Sequence, residues 1–192
     1  MKRLALLVLV ASLVSVGCGA KSDDNSAVTV DPSTLKAAPE GLAGVVVVPV
    51  SGADHVNGKV NYPTSPPAGG NHNAVWQNCG FYTVPVTSEL AVHSLEHGAV
   101  WITYTQSVDQ TVKADLAAKA KASPYVLVSL YADNPTPIVV SAWARQLRLT
   151  TYDSALVAKF IDTYAVDGPT VPEKGASCRG AIGIPPDRPT AT

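Results

Sequence analysis

The chain has 192 residues, a length that suits one domain with short appendages. Hydrophobic residues make up 46% of it and charged residues 15%, which supplies enough apolar surface for a core and excludes an intrinsically disordered protein. The formal net charge of -1 offers no excess of basic residues, so we expect no nucleic-acid partner.

Residues 1–18 are predicted to be a signal peptide. A positively charged start is followed by an apolar run, Leu4 to Val16, that is short for a membrane span, and Gly17 then precedes Cys18. A small residue before a cysteine resembles a bacterial lipobox, although Ser15 stands where that pattern usually has leucine. We expect lipidation of Cys18 and a membrane lipoprotein facing the extracytoplasmic side. Simple secretion or a periplasmic location is the alternative, and a persistent membrane anchor is a third.

Residues 19–43 are small, polar and proline-bearing, a composition typical of a flexible tether. Residues 44–184 are predicted to form one domain, and residues 185–192 a disordered tail. Within the domain, Gly44 to Val50 is a β-branched run that predicts a strand near a sheet edge. A turn follows it and carries His55.

The stretch from Tyr62 to Gly80 is dense in proline and glycine and carries His72. A long irregular loop inside a domain is uncommon and is more often functional than idle. The alternative is a plain surface loop whose asparagines cap its turns.

A helix is predicted from Glu89 to His97, with Ser88 as its N-cap and Gly98 at its end. Ala99 to Tyr104 then has the β-branched and aromatic residues of a buried strand. On this helix His93 and His97 would share one face, with Glu96 at its border.

The remaining elements follow in a regular order. Ser107 to Gln110 has the form of a capping box, and an apolar stripe behind it predicts a helix that ends before Pro124. Two strands and a helix capped by Asp153 come next, the strands being Tyr125 to Tyr131 and Ile138 to Trp143. The order predicts an α+β fold: a small mixed β-sheet packed by two or three helices on one side, in a single domain. A thioredoxin-like half is the alternative.

Several short words of the sequence together resemble a known family. They are His55-Val56, Pro66-Pro67 with Gly70 and His72, Asn78-Cys79-Gly80, the word from Val92 to Gly98, and Pro172-Glu173 followed by Cys178. They resemble an exported bacterial family catalogued as domain of unknown function (DUF) 3105, over about Val45 to Cys178. The resemblance implies export or membrane attachment and supplies no activity.

The residues His93, Glu96 and His97 spell H-x-x-E-H, the order found in inverzincin metalloproteases. There the histidines bind zinc and the glutamate acts on a bound water, so a zinc hydrolase with Glu96 as general base is one hypothesis. Those enzymes place the motif inside a long helix, whereas Gly98 and a strand-like run follow here at once. A non-catalytic role is therefore favoured over an enzyme.

Two cysteines remain if Cys18 carries lipid. In an oxidising compartment Cys79 and Cys178 then have only one intramolecular pairing, so we predict a disulfide between them. Two buried or metal-bound thiols are the alternative.

The imidazoles are the main candidate ligands for a metal. We predict that His72, His93 and His97, with His55 as an optional fourth, converge on one divalent ion, zinc or copper, with Glu96 as a ligand or beside the ligands. Histidines four apart on a helix lie roughly 6 Å apart and can share an ion, whereas on a strand they are about 13 Å apart and cannot. The competing interpretation makes them hydrogen-bonded structural histidines.

Three functions are consistent with the sequence. The first is an extracytoplasmic domain that binds, senses or hands over zinc or copper. The second is the zinc hydrolase, and the third is a metal-free structural or partner-binding lipoprotein. Because Met1 is the only methionine, a methionine-rich carrier of cuprous copper is disfavoured.

Overall fold

The architecture comes from a computed structural model, which describes residues 30–185. The predicted signal peptide with Cys18, the first part of the predicted tether and all but the first residue of the predicted tail lie outside these residues. Among the described residues, no helix is long and apolar enough to cross a membrane.

The described chain builds one six-stranded mixed sheet. Its strands are β1 (Val45–Val47), β2 (Gly80–Pro85), β3 (Val100–Tyr104), β4 (Val126–Leu130), β5 (Ile138–Ala142) and β6 (Arg145–Leu149). They lie in the order β1-β6-β5-β3-β4-β2. The β2–β4 and β3–β4 pairs are parallel, and the other pairs are antiparallel.

Within residues 30–185, three α-helices accompany the sheet and a short 3-10 helix spans Pro32–Thr34; the α-helices are α1 (Ser88–Glu96), α2 (Gln110–Ala122) and α3 (Ser154–Tyr164). The predicted α+β fold with a mixed sheet is therefore confirmed. Strands β6-β5-β3-β4 form the central part of the sheet, with α2 between β3 and β4 and α3 after β6. Strands β1 and β2 add one strand at each edge, and the thioredoxin-like alternative stays a prediction.

Both faces of the sheet are covered, which corrects the prediction of one covered side. Alternate residues of β3 point to opposite faces, so Ile102 packs with Leu116 of α2 and Phe160 of α3, while Trp101 packs with Leu95 of α1. All five residues of β3 are buried, as expected for a central strand between two layers. Helix α1 therefore has a layer to itself, apart from α2 and α3.

Strand β6 is absent from the predicted elements because its sequence, Arg-Gln-Leu-Arg-Leu, is mostly polar. The structure buries these polar groups against distant partners. The side chain of Gln146 donates to the carbonyl of Pro66 at 2.9 Å, and Arg145 forms an ion pair with Glu40 at 2.7 Å. Neither partner is adjacent in sequence, so strand periodicity alone could not reveal this strand.

Two predicted helix caps are wrong and one is confirmed. Helix α1 begins at Ser88 after Thr87, and α2 begins after Asp109, and neither N-cap side chain makes a capping hydrogen bond. The oxygen of Ser107 instead pairs with Thr105. Asp153 caps α3 by accepting from the backbone N–H of Leu156 at 2.9 Å.

The predicted tether does not extend over the whole of residues 19–43, because residues just before β1 pack on the domain. Ala37 forms a bridge with Val46, and Ala38 is buried. The carboxylate of Glu40 accepts from Arg145 and from the Tyr164 hydroxyl. The hydrogen bonds from Arg145 lower the pKa of Glu40, which is thus held charged.

A disulfide joins Cys79 and Cys178, with the two Cα atoms 5.4 Å apart, as predicted. Both cysteines are buried in the layer that contains α1. The bond attaches the C-terminal segment to the start of β2, beside the end of the proline-glycine loop.

Candidate metal centre

The site is built on α1, a helix that is buried from Ala91 to Glu96. His97 follows as the C-cap with φ −72° and ψ −2°, so the helical turn continues for one more residue. The rings of His93 and His97 consequently lie on one face, with their centroids 4.5 Å apart. This is the helical arrangement that the spacing of four predicts.

The proline-glycine loop lies across this face of α1. Its backbone is attached to the helix start, because Asn73 donates to the carbonyl of Glu89 at 3.3 Å and Gln77 to that of Leu90 at 3.1 Å. At Gly69, which has φ +137°, an added Cβ would lie 2.9 Å from Val50, so only glycine lets the loop approach Val50 this closely. The loop is thus packed on α1 and covers it.

A short parallel bridge sets His55 beside His72. The backbone of Val56 donates to the His72 carbonyl at 2.7 Å, and His72 donates to the Asp54 carbonyl at 3.0 Å. The side-chain oxygen of Asn71 accepts a further hydrogen bond from the backbone N–H of Asp54 at 3.0 Å. Two segments that are distant from α1 in sequence thereby deliver one imidazole each.

The three buried histidines are oriented in the same way. Each donates from Nδ1 to a backbone carbonyl: His72 to Gly70 at 2.8 Å, His93 to Asn73 at 2.6 Å and His97 to Ser177 at 2.7 Å. Because a carbonyl can only accept, Nδ1 carries the proton and a neutral ring has its lone pair on Nε2. This is the arrangement by which proteins fix metal-binding histidines.

The free nitrogens converge with a carboxylate. One ligand atom from each of His55, His72, His93 and Glu96 lies within 4.8 Å of the others. His72 Nε2 is 2.9 Å from Glu96 Oε2, yet both atoms are buried and lack a hydrogen-bond partner. An ion held by bonds of about 2.0–2.1 Å in a tetrahedron brings its ligand atoms to about 3.3 Å from one another. These buried, unpartnered atoms thus fit a shared cation.

A second close pair adjoins this group. His93 Nε2 and His97 Nε2 are 2.9 Å apart, so two lone pairs face each other unless a proton or a cation lies between them. The pKa of His93 is lowered to about 4, mainly by burial and also by the nearby histidines, against the effect of its hydrogen bond to Asn73. Near neutral pH the His93 ring is therefore neutral, with the lone pair of Nε2 free to bind a metal.

The structure sorts the predicted residues. It brings together His55, His72, His93 and Glu96, whereas His97 lies outside that group and contacts it through His93. His97 Nε2 also lies 3.4 Å from the carboxylate of Glu173, a residue that the sequence did not nominate as a ligand. The only signal for Glu173 was its place in the family-like word Pro172-Glu173.

Glu96 lies among the candidate ligand atoms of the cluster. Its Oε2 is within 2.9 Å of His72 Nε2 and 4.0 Å of His55 Nε2, and its side chain is only 6% exposed. Trp76 lies against the other side, with its ring 5.5 Å from His93 and 4.9 Å from His97. The site is thus a polar cluster that protein surrounds on most sides. His55 lies on its solvent side, with a side chain that is 49% exposed.

The fold and this cluster define a class: an α+β domain with a buried histidine-glutamate group that could hold a metal ion. The family model for DUF3105, described as a protein of unknown function, matches residues 55–180. The chain belongs to this family, as its short sequence motifs predict, and the matched region contains every residue of the cluster. Comparisons with curated proteins and with solved structures gave no match.

Proposed function

We propose that this protein is an extracytoplasmic metal-binding domain that binds one divalent ion, zinc or cupric copper, through His55, His72, His93 and Glu96. The observation that carries the proposal is that His72 Nε2 and Glu96 Oε2, both buried and 2.9 Å apart, face each other while the Nδ1 of His72 already holds the ring proton. With no proton between them this contact is costly, and a cation bound by both atoms satisfies it.

The chemistry of the ligands supports zinc or cupric copper. Imidazole nitrogen and carboxylate oxygen suit both ions, and Cys79 and Cys178 are occupied by the disulfide. Since Glu96 lies among the ligands, the cluster supplies no second buried carboxylate to act as a base. This favours binding, sensing or hand-over of the ion above hydrolysis.

Metal should stabilise the chelator-treated protein against heat. At a free ion concentration 100 times the dissociation constant, binding contributes about 2.7 kcal/mol, which is about 5 to 10 °C in melting temperature for a chain of this size. The Glu96→Gln variant keeps the shape but loses the anionic ligand. A tenfold weaker site would reduce the stabilisation to about half, and His72→Ala should remove most of it. Thermal melting with zinc or cupric ion tests both variants.

The matched control is Glu40→Gln, which removes a half-buried carboxylate from the ion pair with Arg145. This variant should melt at a lower temperature than the parent but retain the full shift on adding metal. An unchanged shift in Glu96→Gln and His72→Ala, or no shift in the parent with either ion, would contradict the proposed site.

The proposed location is the extracytoplasmic face of a membrane. It is supported by the charged start, the short apolar run and the small residue before Cys18. The disulfide agrees with an oxidising compartment.

We expect the mature protein to begin at a lipidated Cys18. Mass spectrometry of the N-terminal peptide after expression in a bacterial host should show a diacylated or triacylated cysteine, and Cys18→Ser should release the protein from the membrane fraction. An unmodified N-terminus downstream of Cys18 would indicate ordinary secretion instead.

A further inference from the structure

His97 and Glu173 form a second group of ligands that the single-ion site leaves unused. The Nδ1 of His97 is committed to the Ser177 carbonyl, so its Nε2 faces His93 Nε2 at 2.9 Å and Glu173 Oε2 at 3.4 Å. The His97 side chain is 5% exposed, whereas that of Glu173 is 55% exposed. This group therefore runs from the buried histidines to the surface.

The backbone holds Glu173 in place. Its N–H donates to the carbonyl of Glu96 at 3.0 Å, at the end of α1. A few residues later Ser177 accepts from His97, and Cys178 is bonded to Cys79. The backbone of the segment that carries the exposed carboxylate is thus attached to the same helix end as the imidazoles.

We propose that the centre has a second, outer metal position on His93, His97 and Glu173, next to an inner position on His55, His72 and Glu96. This inference rests on the proposed function and adds a second ion to it. The lone pair of His93 Nε2 can serve only one ion. When both positions are filled, His93 Nε2 binds the outer ion together with His97 Nε2, which lies 2.9 Å away. Each ion then has two imidazoles and one carboxylate as ligands.

The spacing suits a pair of ions. One ring nitrogen of His93 lies within 4.8 Å of a ligand atom of each residue of the inner group, and proteins hold paired metal ions about 3.5–4 Å apart. Two divalent ions repel each other, and only two carboxylates offset their charge. The ions should therefore bind in sequence, the first tightly beside the carboxylate of Glu96, which is 6% exposed, and the second more weakly beside that of Glu173, which is 55% exposed. The outer position would be where an ion first meets the protein or leaves it.

The test counts zinc ions. Chelator-treated full-length protein is dialysed against increasing free zinc, and bound zinc per chain is measured by elemental analysis. We expect two ions per chain in two resolved steps. In Glu173→Gln the second dissociation constant should rise by about 10- to 100-fold while the first stays within about twofold of the parent. The control Asp167→Asn removes an exposed carboxylate from the preceding loop and should still bind two ions.

Three results would contradict the outer position. One is saturation at a single ion in a parent protein whose melting temperature still rises when metal is added. That result would contradict only the outer position and would agree with the inner site. Another is retention of the second ion by Glu173→Gln. The last is an equal loss in Asp167→Asn, which would indicate unspecific surface binding. If the parent bound no zinc and no cupric ion, the proposed function would fail as well.

Discussion

Replacing Gly98 with alanine should destabilise the protein by more than about 3 kcal/mol. Gly98 follows His97 directly and has φ +93°, a conformation that costs energy for any residue with a side chain. An added Cβ would also collide with the carbonyl oxygen of Val166, whose backbone N–H donates to Gly98 at 2.8 Å. The Val166 carbonyl also accepts from the backbone N–H of Gly175 at 3.3 Å, so its movement away from the added Cβ would strain that hydrogen bond. Urea denaturation measures the loss.

Gly58→Ala provides the matched control. Gly58 has nearly the same φ, +89°, but no atom lies within 4 Å of the added Cβ. It should cost only the backbone strain, about 1 to 2 kcal/mol. Because the collision lies next to His97, Gly98→Ala should also weaken zinc binding, whereas Gly58→Ala should not. Equal destabilisation by the two variants would show that the collision with Val166 contributes nothing.

Removal of the disulfide should cost about 4 to 5 kcal/mol as an upper value. The bond closes a loop with a sequence separation of 99, and restriction of such a loop in the unfolded chain is the main source of its stabilisation. The Cys79→Ser, Cys178→Ser double variant preserves the size of both buried side chains. Its unfolding midpoint in urea, compared with that of the oxidised parent, measures the effect.

The same double variant also shows whether the disulfide affects zinc binding as well as stability. Cys178 lies next to Ser177, whose carbonyl fixes His97, so loosening this segment should release His97 and Glu173 but not His72. We expect the weaker zinc step to be lost first. A parent protein whose midpoint does not change under a thiol reductant would contradict the entropic account, provided that the bond is shown to be reduced.

Features set by local spacing or by the number of cysteines were predictable from the sequence. The four-residue spacing of His93 and His97 on a short helix ended by Gly98 predicted their shared face, and two leftover cysteines predicted the disulfide. The strand after them was equally clear, because β-branched and aromatic residues follow one another.

Features that depend on distant partners were not predictable. The polar strand β6 is stabilised by Glu40 and by the loop carbonyl of Pro66, and nothing near β6 in sequence signals either contact. Glu173 reaches His97 only because the disulfide and a hydrogen bond to Glu96 bring its segment back to α1. Likewise, His97 lies outside the inner group because Ser177 turns its ring toward Glu173. Such placement is a tertiary property.

The most direct test of the metal centre is the position of the ion itself. Crystals of zinc-loaded protein should be measured with X-rays above and below the zinc absorption edge. We predict an anomalous peak about 2.0–2.2 Å from His72 Nε2 and from a carboxylate oxygen of Glu96, with the three buried Nδ1 atoms still donating to their backbone carbonyls. A fully loaded crystal with peaks only at surface carboxylates, or with His72 and Glu96 hydrogen-bonded to each other and no peak between them, would contradict the account.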